Sequence, residues 1–164
     1  MFMSDKIFLT NMTRAIAECY FKEFVIDAAV FLDGQTVKPF RYSDGWLTDY
    51  LERYKTCEHL AIMLENKPIG EILFKHIDHT QRTAVLSIHL QNDSVKGKGY
   101  GTIAEKLAIE YAFHKLKLNA VYADAIKKNA RSIRVLEKTG FQFVKEDKDF
   151  VYYIMNSPEV SDDC

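Results

Sequence analysis

The sequence predicts a mixed α/β domain: one mostly antiparallel central sheet, helices on both of its faces, and a single βαβ crossover that carries a glycine-rich loop. Three observations carry that prediction. Apolar, strand-like runs at 58–64, 69–77 and 84–90 are joined by short polar turns. The run Gly97, Lys98, Gly99, Tyr100, Gly101, Thr102 then opens a helical stretch, followed by a strand and a second helix. Two further strands, at 141–145 and 150–155, close the chain.

The N-terminal third is the least patterned. A short strand is expected at 7–9 and a helix at 13–24, where Ile16, Cys19, Tyr20 and Phe24 fall near helical spacing. Ser43 is a plausible N-cap for a second helix with Trp46, Leu47, Tyr50, Leu51 and Tyr54 on one side. Glu65, Asn66, Lys67 and Pro68 have turn chemistry between the first two central strands, and 79–82 is a second polar turn. In the third central strand Ala84, Leu86, Ile88 and Leu90 form a uniform apolar stripe, so Ser87 and His89 face the other way. The helix after the glycine-rich loop has an inner stripe of Ile103, Leu107, Ala108, Tyr111, Ala112 and Leu116. A strand at 118–126 and a helix at 129–138, stopped by Gly140, complete the crossover region.

The chain has 164 residues, 48% of them hydrophobic, which suits one domain over 1–156 with a short acidic tail at 157–164. A net charge of −1 argues against a surface that grips nucleic acid or a membrane, without excluding a local basic pocket. Cys19, Cys57 and Cys164 have no zinc-ligand spacing and read as thiols in a reducing compartment; no metal is expected. No apolar run is long enough to span a bilayer and no secretory leader is recognisable, so the expected location is cytoplasmic.

The chemistry concentrates at two helix starts. Glycines let a backbone bend sharply and let a ligand approach it, and the first N–H groups of a helix have no internal partner. With Lys96 and Lys98 beside them they suit an anion, most naturally a phosphate. A P-loop signature is absent. Gly99, Gly101 and Ala104 fit the dinucleotide pattern GxGxxA, with Asp124 near the ribose position, but six residues separate the strand from the glycines and further βα units are missing. The second helix begins at Asn129, an N-cap, amid Lys127, Lys128, Arg131 and Arg134. A polyanionic ligand lying across both helix tips would account for both basic clusters.

The segments KGKGYGT and NARSIRVLEKTGF, at this separation, resemble the GNAT superfamily of acetyl-CoA-dependent N-acetyltransferases, and most closely its ribosomal-protein and spermidine acetyltransferase branch. The match runs over 64–153, with Lys96 where the family's loop carries Gln or Arg. The resemblance implies acetyl-CoA as co-substrate. It implies that the N–H groups of Gly97, Lys98, Gly99, Tyr100, Gly101 and Thr102 cradle its pyrophosphate. Ile88, His89 and Leu90 on a splayed strand, with Asn129 and Ser132, would line the pantetheine arm. It also implies a homodimer at the level of the family.

Direct attack of a primary amine on the thioester then requires a base and an oxyanion donor, for which a backbone N–H on the splayed strand is expected. Asp124 and His89 are the leading base candidates, with Glu71 a third. Many family members place a tyrosine at the position of Leu136; here either another group, such as Tyr152 or Tyr153, protonates the leaving thiolate, or the thiolate leaves without a dedicated acid. The acceptor, a small molecule or a protein N-terminus, is unspecified: N-termini, polyamines and aminoglycoside-like amines all remain open, with Phe40, Tyr42 and Trp46 as candidate lining. Two rival readings stand beside acetyl transfer: a non-catalytic acyl-CoA-binding module of the same fold, and, more distantly, a dinucleotide oxidoreductase.

Overall fold

The computed structural model describes residues 2–4 and 6–158. Its strands are β1 (Phe2–Ser4), β2 (Ile7–Asn11), β3 (Glu58–Leu64), β4 (Lys67–Asp78), β5 (Thr83–Leu90), β6 (Ala120–Ile126), β7 (Gln142–Glu146) and β8 (Phe150–Asn156). The α-helices are α1 (Arg14–Lys22), α2 (Asp44–Arg53), α3 (Tyr100–Glu110) and α4 (Ala130–Thr139). The strands form one sheet in the order β1-β2-β3-β4-β5-β6-β8-β7. Every neighbouring pair is antiparallel except β5–β6, which α3 joins as a crossover. The mixed, mostly antiparallel sheet expected from the sequence is therefore present. The last strand enters between β6 and β7, so the chain's final hairpin also closes onto the crossover strand.

Local sequence sets the helix boundaries. Thr13 accepts from the Ile16 N–H at the start of α1, and Ser43 accepts from the Trp46 N–H at the start of α2. α1 ends at Lys22, two residues short of the stretch expected at 13–24. Gly140 takes φ +106° after α4, which a left-handed C-terminal position requires. α3 runs on as a π-helical turn, Tyr111–Lys115, before Leu116 donates back to the Tyr111 carbonyl.

The alternation along the central strands sorts the two faces. Leu60, Ile62, Ile72, Phe74, Ala84 and Leu86 join the main core with Ala104, Leu107, Ala108 and Ala112 of α3. A second, smaller core of Ala17, Tyr20, Phe21 and Leu47 lies beneath α1 and α2. Its aromatic neighbours meet edge-on or stacked, each such pair being worth about 0.5–1.5 kcal/mol beyond burial. Of the expected tail, Ser157 is buried and its N–H donates to the Asn119 carbonyl; residues 159–164, Cys164 included, lie outside the described residues. No helix among the described residues is long and apolar enough to cross a membrane.

At Gly70 the strands approach too closely for a side chain. A Cβ there would sit 2.7 Å from the His89 carbonyl oxygen and 2.8 Å from Ile62 Cδ1. A backbone oxygen cannot retreat as a side chain can, so β4 and β5 would have to part. Gly70→Ala is expected to destabilise the fold by about 1–3 kcal/mol, read as a lowered urea midpoint with unchanged slope.

Candidate active site

The sheet opens between β5 and β6. Their pairing covers only Thr83–Ala120, Ala84–Val121 and Val85–Tyr122, although both strands continue and stay paired on their outer sides. At the end of β5 the Gln91 N–H donates to the Ile69 carbonyl, on the β4 side. Alternation then turns the peptide groups of Ile88 and Leu90 away from β4 and into the opening. The peptide of His89 faces β4 instead, and its carbonyl accepts from the Tyr20 hydroxyl at 3.4 Å.

Two cavities of ≈ 430 Å³ and ≈ 330 Å³ flank this opening. Ile88, His89, Glu105, Asn129 and Ser132 line both of them. Of the residues expected at the cofactor, the structure thus brings the strand, the loop and the start of α4 to one place. α3 alone among the α-helices starts without a side-chain cap: Gly99, at φ +82°, is its N-cap, and Gly97 precedes it at φ +74°. The first N–H to close the turn is that of Ile103, onto the Gly99 carbonyl, so those before it point outward. At α4 the Asn129 side chain is occupied as a cap, accepting from the Ser132 N–H at 3.2 Å.

The lysines around this end divide into two groups. Lys96 turns inward and pairs with Asp27 at 2.9 Å, its side chain only 9% exposed. Burial pushes the Asp27 carboxyl up, but hydrogen bonds from Lys96 and the Ala29 N–H outweigh this and hold it below the usual range. Lys128 pairs with Asp33 at 2.9 Å and Lys127 with Glu146 at 3.5 Å. Lys96 and Lys128 therefore strap the connection between α1 and α2 over the opening. Lys98, Arg131 and Arg134 are exposed, and no ion pair engages them among the described residues.

At the inner end of the larger cavity a carboxylate is buried. Glu71, 3% exposed, accepts from the Tyr50 hydroxyl at 2.9 Å on both oxygens. His59 Nε2 lies 2.8 Å from its Oε2, and His89 Nδ1 lies 3.5 Å from its Oε1. Burial alone would raise this carboxyl. The hydrogen bonds and charge of His59 and His89 overcome it and bring the carboxyl down to about 2. Register explains the cluster: Glu71 pairs with His89 across β4–β5 and with Ala61 across β3–β4, which makes His59 its diagonal neighbour on the same face. A carboxylate only accepts, so the His89 nitrogen facing it, Nδ1, is a protonated one, and in the neutral ring Nε2 is the nitrogen with the lone pair. Burial, then Glu71, pushes the Tyr50 phenol well up, so it remains a donor.

A family model described as an acetyltransferase (GNAT) domain matches residues 6–142. The chain belongs to the GNAT acetyltransferases. Among relatives, it is 38% identical over 100 residues to the probable N-acetyltransferase YjcK of Bacillus subtilis, covering 58% of this chain and 55% of that one. It is 32% identical over 102 residues to the acetyltransferase PseH of Campylobacter jejuni, covering 62% of each. It is 32% identical over 81 residues to the spermidine N(1)-acetyltransferase of Escherichia coli, covering 49% of this chain and 43% of that one. The matches thus span less than two thirds of these relatives' lengths. In fold it is similar to the ribosomal-protein-S5-alanine acetyltransferase of Vibrio fischeri, with a TM-score of 0.77, 18% identity, and 96% and 97% of the two chains covered.

Within this GNAT domain the other residues singled out from the sequence fall as follows. Asp124 is exposed on β6 and lines the smaller cavity, across the opening from His89. Tyr153 is buried and donates to Glu137 Oε1 at 3.1 Å, lining neither cavity. Tyr152 donates to Asp147 at 2.8 Å. Leu136 is buried in the wall of the smaller cavity. Sequence patterning names Tyr50 only as part of one side of α2, and does not single out His59 or Glu105. Glu105 is 5% exposed in α3, one oxygen has no partner among the described residues, and burial pushes its carboxyl up to about 7.

An acid raised in the folded state stabilises the fold fully below its unfolded pKa, about 4.3, and loses that contribution as the pH rises through about 7. Unfolding free energy is therefore expected to fall between pH 5 and 8 by on the order of 2 kcal/mol, and Glu105→Gln to flatten that slope, as denaturant titrations at several pH values will read.

Proposed function

We propose that the chain moves the acetyl group of acetyl-CoA to a primary amine by direct attack within a ternary complex. The single observation that supports this reading best is the opening between β5 and β6. It exposes the peptide groups of Ile88 and Leu90 beside the uncapped start of α3. An extended, amide-bearing chain such as pantetheine satisfies the strand edge, and a pyrophosphate satisfies the N–H groups of Gly97, Lys98, Gly99, Tyr100, Gly101 and Thr102. Lys98 and Arg131 supply exposed charge beside it, while Lys96 serves to hold Asp27.

His89 Nε2 is the base in this reading. The amine gives up its ammonium proton to Nε2, and Glu71 behind the ring stabilises the imidazolium. The free amine then adds to the thioester carbonyl, an N–H of Ile88 or Leu90 donates to the developing oxyanion, and the C–S bond breaks with its electron pair on sulfur. The proton held by His89 passes to that sulfur, and the ring so freed takes the surplus proton from the new amide nitrogen and releases it to water, so Tyr153 is assigned no part. Asp124, across the opening, reaches the amine only through water and ranks second. No metal enters the scheme.

Release of free thiol from acetyl-CoA is expected on addition of a suitable amine. His89→Gln should lower kcat about 10²-fold or more with coenzyme A affinity unchanged. Gly101→Val should abolish coenzyme A binding by calorimetry while the chain stays folded, because a Cβ there meets only Leu90 Cδ1 at 3.8 Å. Wild-type kcat in the His89 variant would remove it as base. Coenzyme A binding without thiol release for any amine would favour a non-catalytic acyl-CoA-binding module.

A further inference from the structure

The wall of the larger cavity that faces away from the glycine-rich loop is almost wholly aromatic. Phe21 and Phe24 come from α1 and its end, Phe40 from the connection, and Trp46, Tyr50 and Tyr54 from one face of α2 at four-residue spacing. Their rings are continuous: Phe21–Trp46 at 4.8 Å, Phe40–Trp46 at 4.7 Å, Trp46–Tyr50 stacked at 4.9 Å and Tyr50–Tyr54 at 4.9 Å. Apart from Tyr20, which is sealed beneath, these rings are the packing of the second core and the surface of the cavity at once.

Charge in the cavity is distributed unevenly. Lys96 and Arg131 lie at the loop end, and the carboxylate of Asp27 is taken by Lys96 at 2.9 Å. Glu105, the third carboxylate on the wall, stands in the second turn of α3 on the loop side, so at the aromatic end the wall carries one carboxylate, Glu71, reached through the 39% exposed His89 ring. One negative group matches one ammonium. At the aromatic end a second cation would be desolvated with no further carboxylate to meet it, and a body rich in hydroxyl or peptide groups would leave them unpaired against the rings. The cavity's ≈ 430 Å³ must also admit the end of the acyl donor, which leaves room for a body of one or two rings.

We propose that the acceptor is a primary amine carried on an aryl or similarly flat apolar body with no second cation, its amine at His89 and its body against Trp46, Phe40 and Tyr50. This rests on the acetyl-transfer reading but concerns a different part of the site, and the two are separable. Trp46 is the chain's one tryptophan, so its fluorescence reports occupancy of the aromatic end directly, with or without turnover.

The test is two titrations of the full chain with the same four amines: phenethylamine, spermidine, an alanine-initiated tetrapeptide and kanamycin. The first follows Trp46 emission in the presence of coenzyme A; the second follows thiol release at saturating acetyl-CoA. Phenethylamine is expected to change the emission saturably and to exceed each of the others at least tenfold in kcat/KM. Trp46→Leu, which keeps an apolar side chain in the core, is expected to raise KM for phenethylamine at least tenfold with calorimetric affinity for coenzyme A unchanged. A higher kcat/KM for spermidine, the peptide or kanamycin would overturn the substrate class and leave acetyl transfer standing. Saturable emission change by phenethylamine without thiol release from any amine would support the class and overturn acetyl transfer. No emission change with phenethylamine would overturn the class.

Discussion

The structure depends on a pairing that stops. β5 and β6 meet for three residue pairs and then part, while β4 and β8 keep each of them straight on its far side. A sheet normally satisfies its peptide groups by continuing the ladder, and peptide groups buried without partners are costly. Here the sheet itself is interrupted, and the loop and α3 that join the parted strands bring a second set of unpaired N–H groups to the same opening. Both features call for a long polar ligand with an anionic end, and the flanking cavities give it room.

The opening would be less useful without the ionised group beside it. An isolated carboxylate at the burial of Glu71 would take up a proton; three donors from three different elements prevent that. Tyr50 comes from α2, His59 from β3 and His89 from β5, so the same contacts also tie α2 to the sheet. Removing one donor from such a cluster leaves the charge less compensated, at a cost of about 3–5 kcal/mol for a fully buried pair. Stability and the proton chemistry proposed for His89 therefore share one set of bonds.

Much of this was legible in the sequence. The strand at 58–64 has the predicted bounds, Ser43 and Asn129 are the caps that their residue types suggest, and the alternation along 84–90 puts His89 on the face opposite the main core. The two motifs marked the opening through the family resemblance, yet nothing in their residue types says that β5 and β6 separate. The Glu71–His89 pairing was hidden by a single irregularity. Counting back from the turn pair Asp78–Thr83 would oppose Glu71 to Leu90, on the other face. A bulge beyond Lys75, where His76 takes φ +52°, shifts the register by one and restores Glu71 to His89. Lys96 reads as a phosphate ligand in one dimension, but its partner Asp27 lies in a connection with no periodic pattern to place it.

The most direct measurement is an amide chemical-shift map of the chain titrated with coenzyme A. The largest perturbations are expected at the N–H groups of Ile88 and Leu90 and from Gly97 through Thr102, with slowed exchange at both. Saturable binding that leaves those amides unmoved, or perturbations centred on another edge of the sheet, would contradict coenzyme A binding in the opening between β5 and β6.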